Sequence, residues 1–244
     1  MSVFYQGDSL TLLKSKIPSK SVNLIYIDPP FGTTRNFWDE GLPWDKYFEE
    51  FFRVLKDDGM LVIHCSIPFN YELIRSAPKP PTHTWYWLKD SPTSPLLANV
   101  QPLRQVEEIL VWKKKKATYY RQQIGTEMRR STYMTKTDYY GKTYKFGYTQ
   151  IKGKTRTHFL QMKREFDGFS TRPKEMVKLM IDSYSKKGDT ILDCFCYKGL
   201  SYTQATDRRW IGMDKYHMAT YFLTPPVAPP PQPTPPPQTQ TEEG

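Results

Sequence analysis

Val22-Asn-Leu-Ile-Tyr-Ile-Asp-Pro-Pro-Phe31 is the stretch that decides how the chain is read. Its near-continuous apolar run suits a strand buried on both faces, and the two prolines end it because proline has no ladder donor. Downstream, apolar residues at 44, 47, 48, 51, 52 and 55 follow helical spacing. Gly59 is expected to close that helix before the strand Met60-Leu-Val-Ile-His-Cys65. Strand, helix and strand in this cadence predict a parallel sheet.

Working outward, Val3-Phe-Tyr reads as a strand, followed by a short helix over 9–17 that Asp8 or Ser9 would cap. Strands are expected at 84–88 and 108–112. Ser170 or Thr171 is expected to cap a later helix that has Pro173 in its first turn. That helix carries Met176, Val177, Met180, Ile181 and Tyr184 on one face, and Gly188 should end it. Thr190-Ile-Leu-Asp193, a loop to Gly199, a helix to about 207 and Trp210-Ile-Gly-Met-Asp214 make a second βαβ unit. The fold class expected is α/β, a doubly wound, mostly parallel Rossmann-like sheet.

Four acids, Asp8, Asp28, Asp193 and Asp214, each follow a predicted strand, so parallel strands would bring them to one sheet edge, where such folds bind ligands. Asp193 and Asp214 are about 20 residues apart, the distance from a nucleotide-binding turn to the acid that holds ribose hydroxyls. The loop between them has one glycine, Gly199, which specifies a phosphate cradle poorly. S-adenosylmethionine, an adenosine with a cationic tail and no phosphates, fits better than a dinucleotide; an ordinary helix-capping loop would use the same residues. Asp28-Pro29-Pro30-Phe31 fixes a carboxylate, a carbonyl and an aromatic face together, a receptor for a planar ring bearing an exocyclic amine. A rigid turn with a core phenylalanine is the plainer reading of that tetrapeptide.

Charge and proline are unevenly spread over the 244 residues. The formal net charge is +10, yet residues 113–164 alone carry 15 Lys/Arg against Glu127 and Asp138, which leaves the rest of the chain slightly acidic. Nine of the 21 prolines lie between Pro225 and Pro237, in a Pro-rich tail expected to be disordered. Cys65, Cys194 and Cys196 form neither a disulfide framework nor a zinc pair, and no histidine has metal-ligand spacing, so no metal is expected. No apolar run approaches the ~18 residues of a membrane span, and the first residues lack the pattern of a signal peptide. An intracellular protein is therefore expected, in the cytoplasm of a prokaryotic or virus-infected host.

The chain resembles the amino-methylating (N6-adenine or N4-cytosine) DNA methyltransferases, in the subgroup whose catalytic block precedes its cofactor block. Gly7-Asp8-Ser9 with Val22 to Phe31 resembles that family's opening, and Glu107-Glu-Ile-Leu-Val-Trp-Lys113 the strand before its target-recognition region. Thr171-Arg-Pro-Lys174 resembles its Thr-x-Lys-Pro element with the last two residues exchanged. Ile191-Leu-Asp-Cys-Phe195 with Gly199 resembles its cofactor loop, with Tyr197 at the first glycine and Cys194 at the proline, and Arg209-Trp-Ile-Gly-Met-Asp214 its ribose-binding strand.

The resemblance implies a catalytic half over 1–112, a basic target-recognition insert over 113–164 and a cofactor half over 165–223, with 224–244 as tail. It implies Asp28, Pro29, Pro30 and Phe31 as catalytic, and Asp8, Thr171, Lys174, Asp193, Phe195, Gly199 and Asp214 as binding S-adenosylmethionine. An initial Asp in the catalytic motif resembles the adenine enzymes, so transfer to adenine N6 in a flipped-out base is expected, with cytosine N4 or a catalytically inactive DNA-binding protein as alternatives. A restriction–modification setting is the one that the resemblance suggests.

Nine aromatics interleave with the basic residues of the insert, so this segment reads as a DNA surface. Lys113, Lys115, Arg121, Arg129, Arg130, Lys142, Lys145 and Lys154 are the candidate contacts, although a solvated basic face is the plain alternative. Of Trp85 and Trp87, one is expected to pack inward and the other to face DNA or solvent. A homodimer is left open, and the tail could dock a proline-binding partner or be inert.

Overall fold

The structure is a computed structural model. It describes residues 2–36, 39, 41–93, 95–134, 146–166 and 170–215, with backbone alone at 129–134, 146–152, 170 and 171. The tail, Lys142 and Lys145 lie outside the described residues.

The chain forms β1 (Val3–Gln6), α1 (Ser9–Lys16), β2 (Val22–Ile27), α2 (Trp44–Val54), β3 (Leu55–Cys65) and α3 (Phe69–Ser76). An antiparallel pair follows, β4 (His83–Thr93) and β5 (Arg104–Lys113), then the hairpin β6 (Gln123–Met134) and β7 (Phe146–Thr155). The short strands β8 (Phe159–Gln161), β9 (Glu165–Phe166) and β10 (Ser170–Thr171) lead into α4 (Lys174–Tyr184), β11 (Thr190–Asp193), α5 (Leu200–Gln204) and β12 (Arg209–Asp214).

Eight strands make one sheet in the order β1-β12-β11-β2-β3-β5-β4-β8. From β1 to β3 every neighbouring pair is parallel, while β5 runs antiparallel to both β3 and β4. The sheet is thus the expected doubly wound, mostly parallel one. Its strands are apolar on both sides because both sides are covered. Ile25, Ile27, Leu61 and Ile63 pack with α1, α2 and α3 on one face. Leu24, Tyr26, Met60, Val62 and Ile191 pack with α4 on the other. The basic hairpin β6–β7 is a separate two-stranded sheet.

Several local expectations need correction. Gly59 does not cap α2: the helix ends at Val54, where the Leu55 N–H still reaches Phe51 O. Gly59 lies within β3, where a Cβ would stand 2.9 Å from both Leu55 Cδ2 and Lys56 O, so close backbone approach is its role. Neither Ser170 nor Thr171 caps α4, because both are drawn into pairing with Phe166 and Glu165. Pro173 takes the cap position without a side-chain hydrogen bond, its fixed φ of −58° leading into the helix. That helix stops at Tyr184 when Ser185 becomes extended, three residues before Gly188. Trp85 and Trp87 are both buried, since residues two apart in a strand share a face. No helix among the described residues is long and apolar enough to cross a membrane.

Candidate active site

All four strands that precede the acids run parallel, so Asp8, Asp28, Asp193 and Asp214 emerge at the same C-terminal edge. Their surroundings differ. Asp8 is exposed and caps α1, accepting from Thr11 N at 2.8 Å and Thr11 Oγ1 at 2.6 Å. Asp214 accepts the Tyr197 N–H at 2.8 Å, and its own carbonyl accepts the Gly7 N–H at 2.9 Å. One residue thereby ties β1, β12 and the Asp193–Gly199 loop together. Within that loop Tyr197 adopts a left-handed φ of 41°, the conformation a glycine takes without strain, and its ring points out to 39% residue exposure. Gly199 is left-handed too, at φ 73°. Phe195 packs against Trp44 and Tyr47.

Asp193 is only 4% exposed. It accepts from Phe195 N and from Ser201 Oγ, and Ser201 in turn accepts the Trp210 indole N–H at 2.9 Å. Burial pushes its carboxyl up to about 7, against those two hydrogen bonds and with the negative charges of Asp28 and Asp214 adding to the rise. A value above that of the unfolded chain means that the folded state holds this proton more tightly. The associated stability is complete below about pH 4 and is lost as pH rises through 7, about 4 kcal/mol over three units. Buried His64, pushed down to about 3 by burial, acts with the opposite sign and stabilises as pH rises toward 6.5. The readout is therefore the difference between variant and parent. Asp193→Asn should gain on the wild type steadily from pH 4 to 7 in urea unfolding; a difference independent of pH would refute the assignment.

Asp28 leaves β2 beside buried Pro29, and Phe31 stacks on Phe69 with centroids 5.1 Å apart and planes at 21°. The following turn is held by Asp39, which accepts the N–H groups of Gly32, Thr33 and Thr34 at 2.7, 2.9 and 2.6 Å. Burial alone would raise the Asp39 carboxyl; hydrogen bonds from the Thr34 side chain and these amides hold it below the ordinary carboxylate value instead. A cleft of about 380 Å³ opens next to Phe31, lined by Thr33, Phe69, Tyr71 and Arg75 among others. Beneath Asp28, Tyr26 Oη lies 2.8 Å from His64 Nε2 in the buried core.

Arg172 is the residue that the sequence reading passed over. Its Nη2 donates to Asp28 Oδ1 at 2.7 Å, and its Nη1 lies 2.9 Å from Glu107 Oε2, off the axis of a hydrogen bond. Glu107 pairs with Lys89 on its other oxygen. Lys174 points elsewhere, its backbone N–H and ammonium both turned to Glu165. The Thr171 side chain is outside the described residues. In the basic segment, Lys113 ends β5, which runs antiparallel to β3 and pairs it there with Met60 midway along that strand, and Lys115 binds Asp57, so both lie toward the sheet edge opposite the acids. Arg121 and Lys154 are exposed, while Arg129 and Arg130 lie on β6 with their side chains outside the described residues. The three cysteines are free and buried. Among the described residues no group of acids, histidines and cysteines could hold a metal ion.

Comparison with known proteins joins these observations. Over 66 residues the chain is 46% identical to the DNA adenine methyltransferase YhdJ of Escherichia coli (strain K12), a stretch that covers 23% of this chain and 22% of that relative's length. The cytosine-N4-specific PvuII DNA methyltransferase superposes with a TM-score of 0.62 at 17% identity, covering 93% of this chain and 88% of that one. M1.HpyAVI in its SAM complex superposes at 0.59 and 17% identity, covering 88% and 94%. These two likenesses establish the fold. The DNA methylase family model matches residues 22–221, from the strand that ends in Asp28-Pro-Pro-Phe31 to beyond the last strand-end acid, and by that match the chain belongs to the DNA methylase family.

Proposed function

We propose that this chain transfers a methyl group from S-adenosylmethionine to the exocyclic N6 amine of adenine in DNA. The observation that carries the reading is the position of Asp28, on a parallel strand end at the same edge as three further acids. Family membership supports amino-group methylation of DNA. The choice of adenine rests on the acid that heads the motif and on the short stretch of 46% identity to an adenine methyltransferase.

The donor set fits the methyl donor. Asp8 and Asp214 are acceptors for ribose hydroxyls and an ammonium, and four acids gathered at one strand-end edge favour a cation over a phosphate. When bound, S-adenosylmethionine supplies an electrophilic methyl on a sulfonium. The chain's part concerns the amine, a poor nucleophile because its lone pair is delocalised into the ring. Asp28 and the Pro29 carbonyl accept hydrogen bonds from its N–H groups and favour the pyramidal nitrogen, which stabilises the transition state more than the ground state. Phe31, backed by Phe69, gives the extruded base a stacking surface.

The test is to incubate unmodified DNA with the chain and methyl-labelled S-adenosylmethionine, then identify the labelled nucleoside. N6-methyladenine is expected. N4-methylcytosine would replace the adenine assignment, and absence of label would remove the transfer. DNA binding through the insert also has a salt signature: log affinity should fall linearly with log salt, by about 0.9 per phosphate neutralised. Lys154→Ala should flatten that slope by about one contact. A slope the same as the parent's would take Lys154 out of the interface.

A further inference from the structure

We propose that Arg172 is a positioning residue for Asp28, held in place by Glu107 and Lys89, a role that rests on the methyl transfer proposed above. Four charges of alternating sign run from the antiparallel strands to the catalytic motif: Lys89 on β4, Glu107 on β5, Arg172 before α4 and Asp28 after β2. Side-chain exposures are 6% for Lys89, 10% for Glu107 and 14% for Arg172, so the chain is shielded from water until it reaches Asp28 at 37%. A single buried guanidinium would be costly; here each cation lies between acids or beside one, and the charges balance.

The geometry makes this arrangement directional. The guanidinium carbon lies 5.8 Å from the Phe31 ring centroid and 5.6 Å from that of Trp87. It is therefore confined by aromatic rings while one nitrogen faces each acid. Among the described residues, the hydrogen bond from Arg172 to Oδ1 is the one made to the Asp28 carboxylate. Oδ1 is thereby fixed, and Oδ2 is left to accept an N–H from the target amine. A rigid fork suits this task better than a flexible ammonium, because it sets the plane of the carboxylate as well as its charge. Glu107 and Lys89 belong to strands paired through Trp87 opposite Glu107, so the anchor is part of the sheet. The proline after Arg172 restricts its backbone to extended conformations and adds to that rigidity.

The experiment measures single-turnover methyl transfer by the full chain at saturating unmodified DNA and S-adenosylmethionine, together with DNA KM and cofactor Kd. Arg172→Met should slow the transfer about 100-fold, the scale of an ångström's misplacement. KM and Kd should stay within about threefold of the parent. Arg172→Lys should recover part of the rate, and added guanidinium should restore part of it to Arg172→Ala. A folded Arg172→Met at the parental rate overturns the proposal, as does a loss that appears only in KM or Kd. Should that variant fail to fold, Glu107→Gln and Arg172→Lys decide: a lower kcat with unchanged Kd supports positioning, and the parental rate in both overturns it. Failure of the underlying function looks different, since Asp28→Ala would then keep the parental rate or the wild type would show no transfer.

Discussion

Replacing Asp28 by alanine should lower methyl transfer by about three orders of magnitude while binding of S-adenosylmethionine changes little. Removing one preorganised group aimed at developing charge costs on the order of 10²–10³ in rate, and Asp28 would supply both an acceptor for the amine and the partner that Arg172 needs. Stability should not carry the effect. Asp28 is more than a third exposed, and the Arg172 guanidinium keeps its approach to Glu107. The variant does leave one buried cation less well compensated, so a modest loss of stability is expected alongside. Measuring cofactor Kd by titration and single-turnover rate on the same preparation separates the two effects. A variant with parental turnover would remove Asp28 from the chemistry and the amine-methylation reading with it. Asp28→Asn is the finer probe: its amide keeps an acceptor oxygen but no charge, so it should retain more activity than alanine if geometry matters beside charge.

Much of this site was legible because continuous apolar strand runs and helical spacing leave strong marks. The apolar run 22–27, its proline stop and the acids at 8, 28, 193 and 214 all reached the expected edge, since parallel topology follows from the βαβ cadence. What escaped had its signal in the buried faces of two polar-looking strands. Trp85, Trp87 and Lys89 share one side of β4, and Glu107 shares a side of β5 with Ile109 and Val111. A lysine and a glutamate on faces otherwise apolar require partners. Reading Trp85 and Trp87 as opposite-facing hid that pattern. Arg172 was harder to find, because its role depends on three segments meeting: 28, 107 and 172 are far apart in sequence. Gly59 was mistaken for a helix cap because glycine marks close backbone approach as readily as it marks a helix end.

Gly212 carries the second large expectation, and it acts through packing. A Cβ there would lie 1.9, 2.3 and 2.6 Å from three atoms of the Trp210 ring, far inside contact distance. The ring has nowhere to retreat: Trp210 is 1% exposed, packs on Tyr202 at 5.1 Å and donates its N–H to Ser201. Gly212→Ala should therefore destabilise the fold by about 3 kcal/mol, the upper part of the overpacking range. For a chain of this size that corresponds to a fall in Tm of roughly 10 °C. The damage should be specific in place. Displacing Trp210 loosens Ser201 and with it Asp193, so the loop to Gly199 loses its support. S-adenosylmethionine affinity should weaken even at temperatures where the variant remains folded. Trp210→Leu vacates the space that the new methyl needs, so Gly212→Ala should cost much less in that background than alone. Additive losses in the double variant would show that the ring and the glycine do not interact as described. If coupling appears in stability but not in cofactor affinity, Trp210 supports the sheet without shaping the loop. Coupling in both would make the close contact of Trp210 on Gly212 the structural reason that Asp193 and Asp214, 21 positions apart, act as one site.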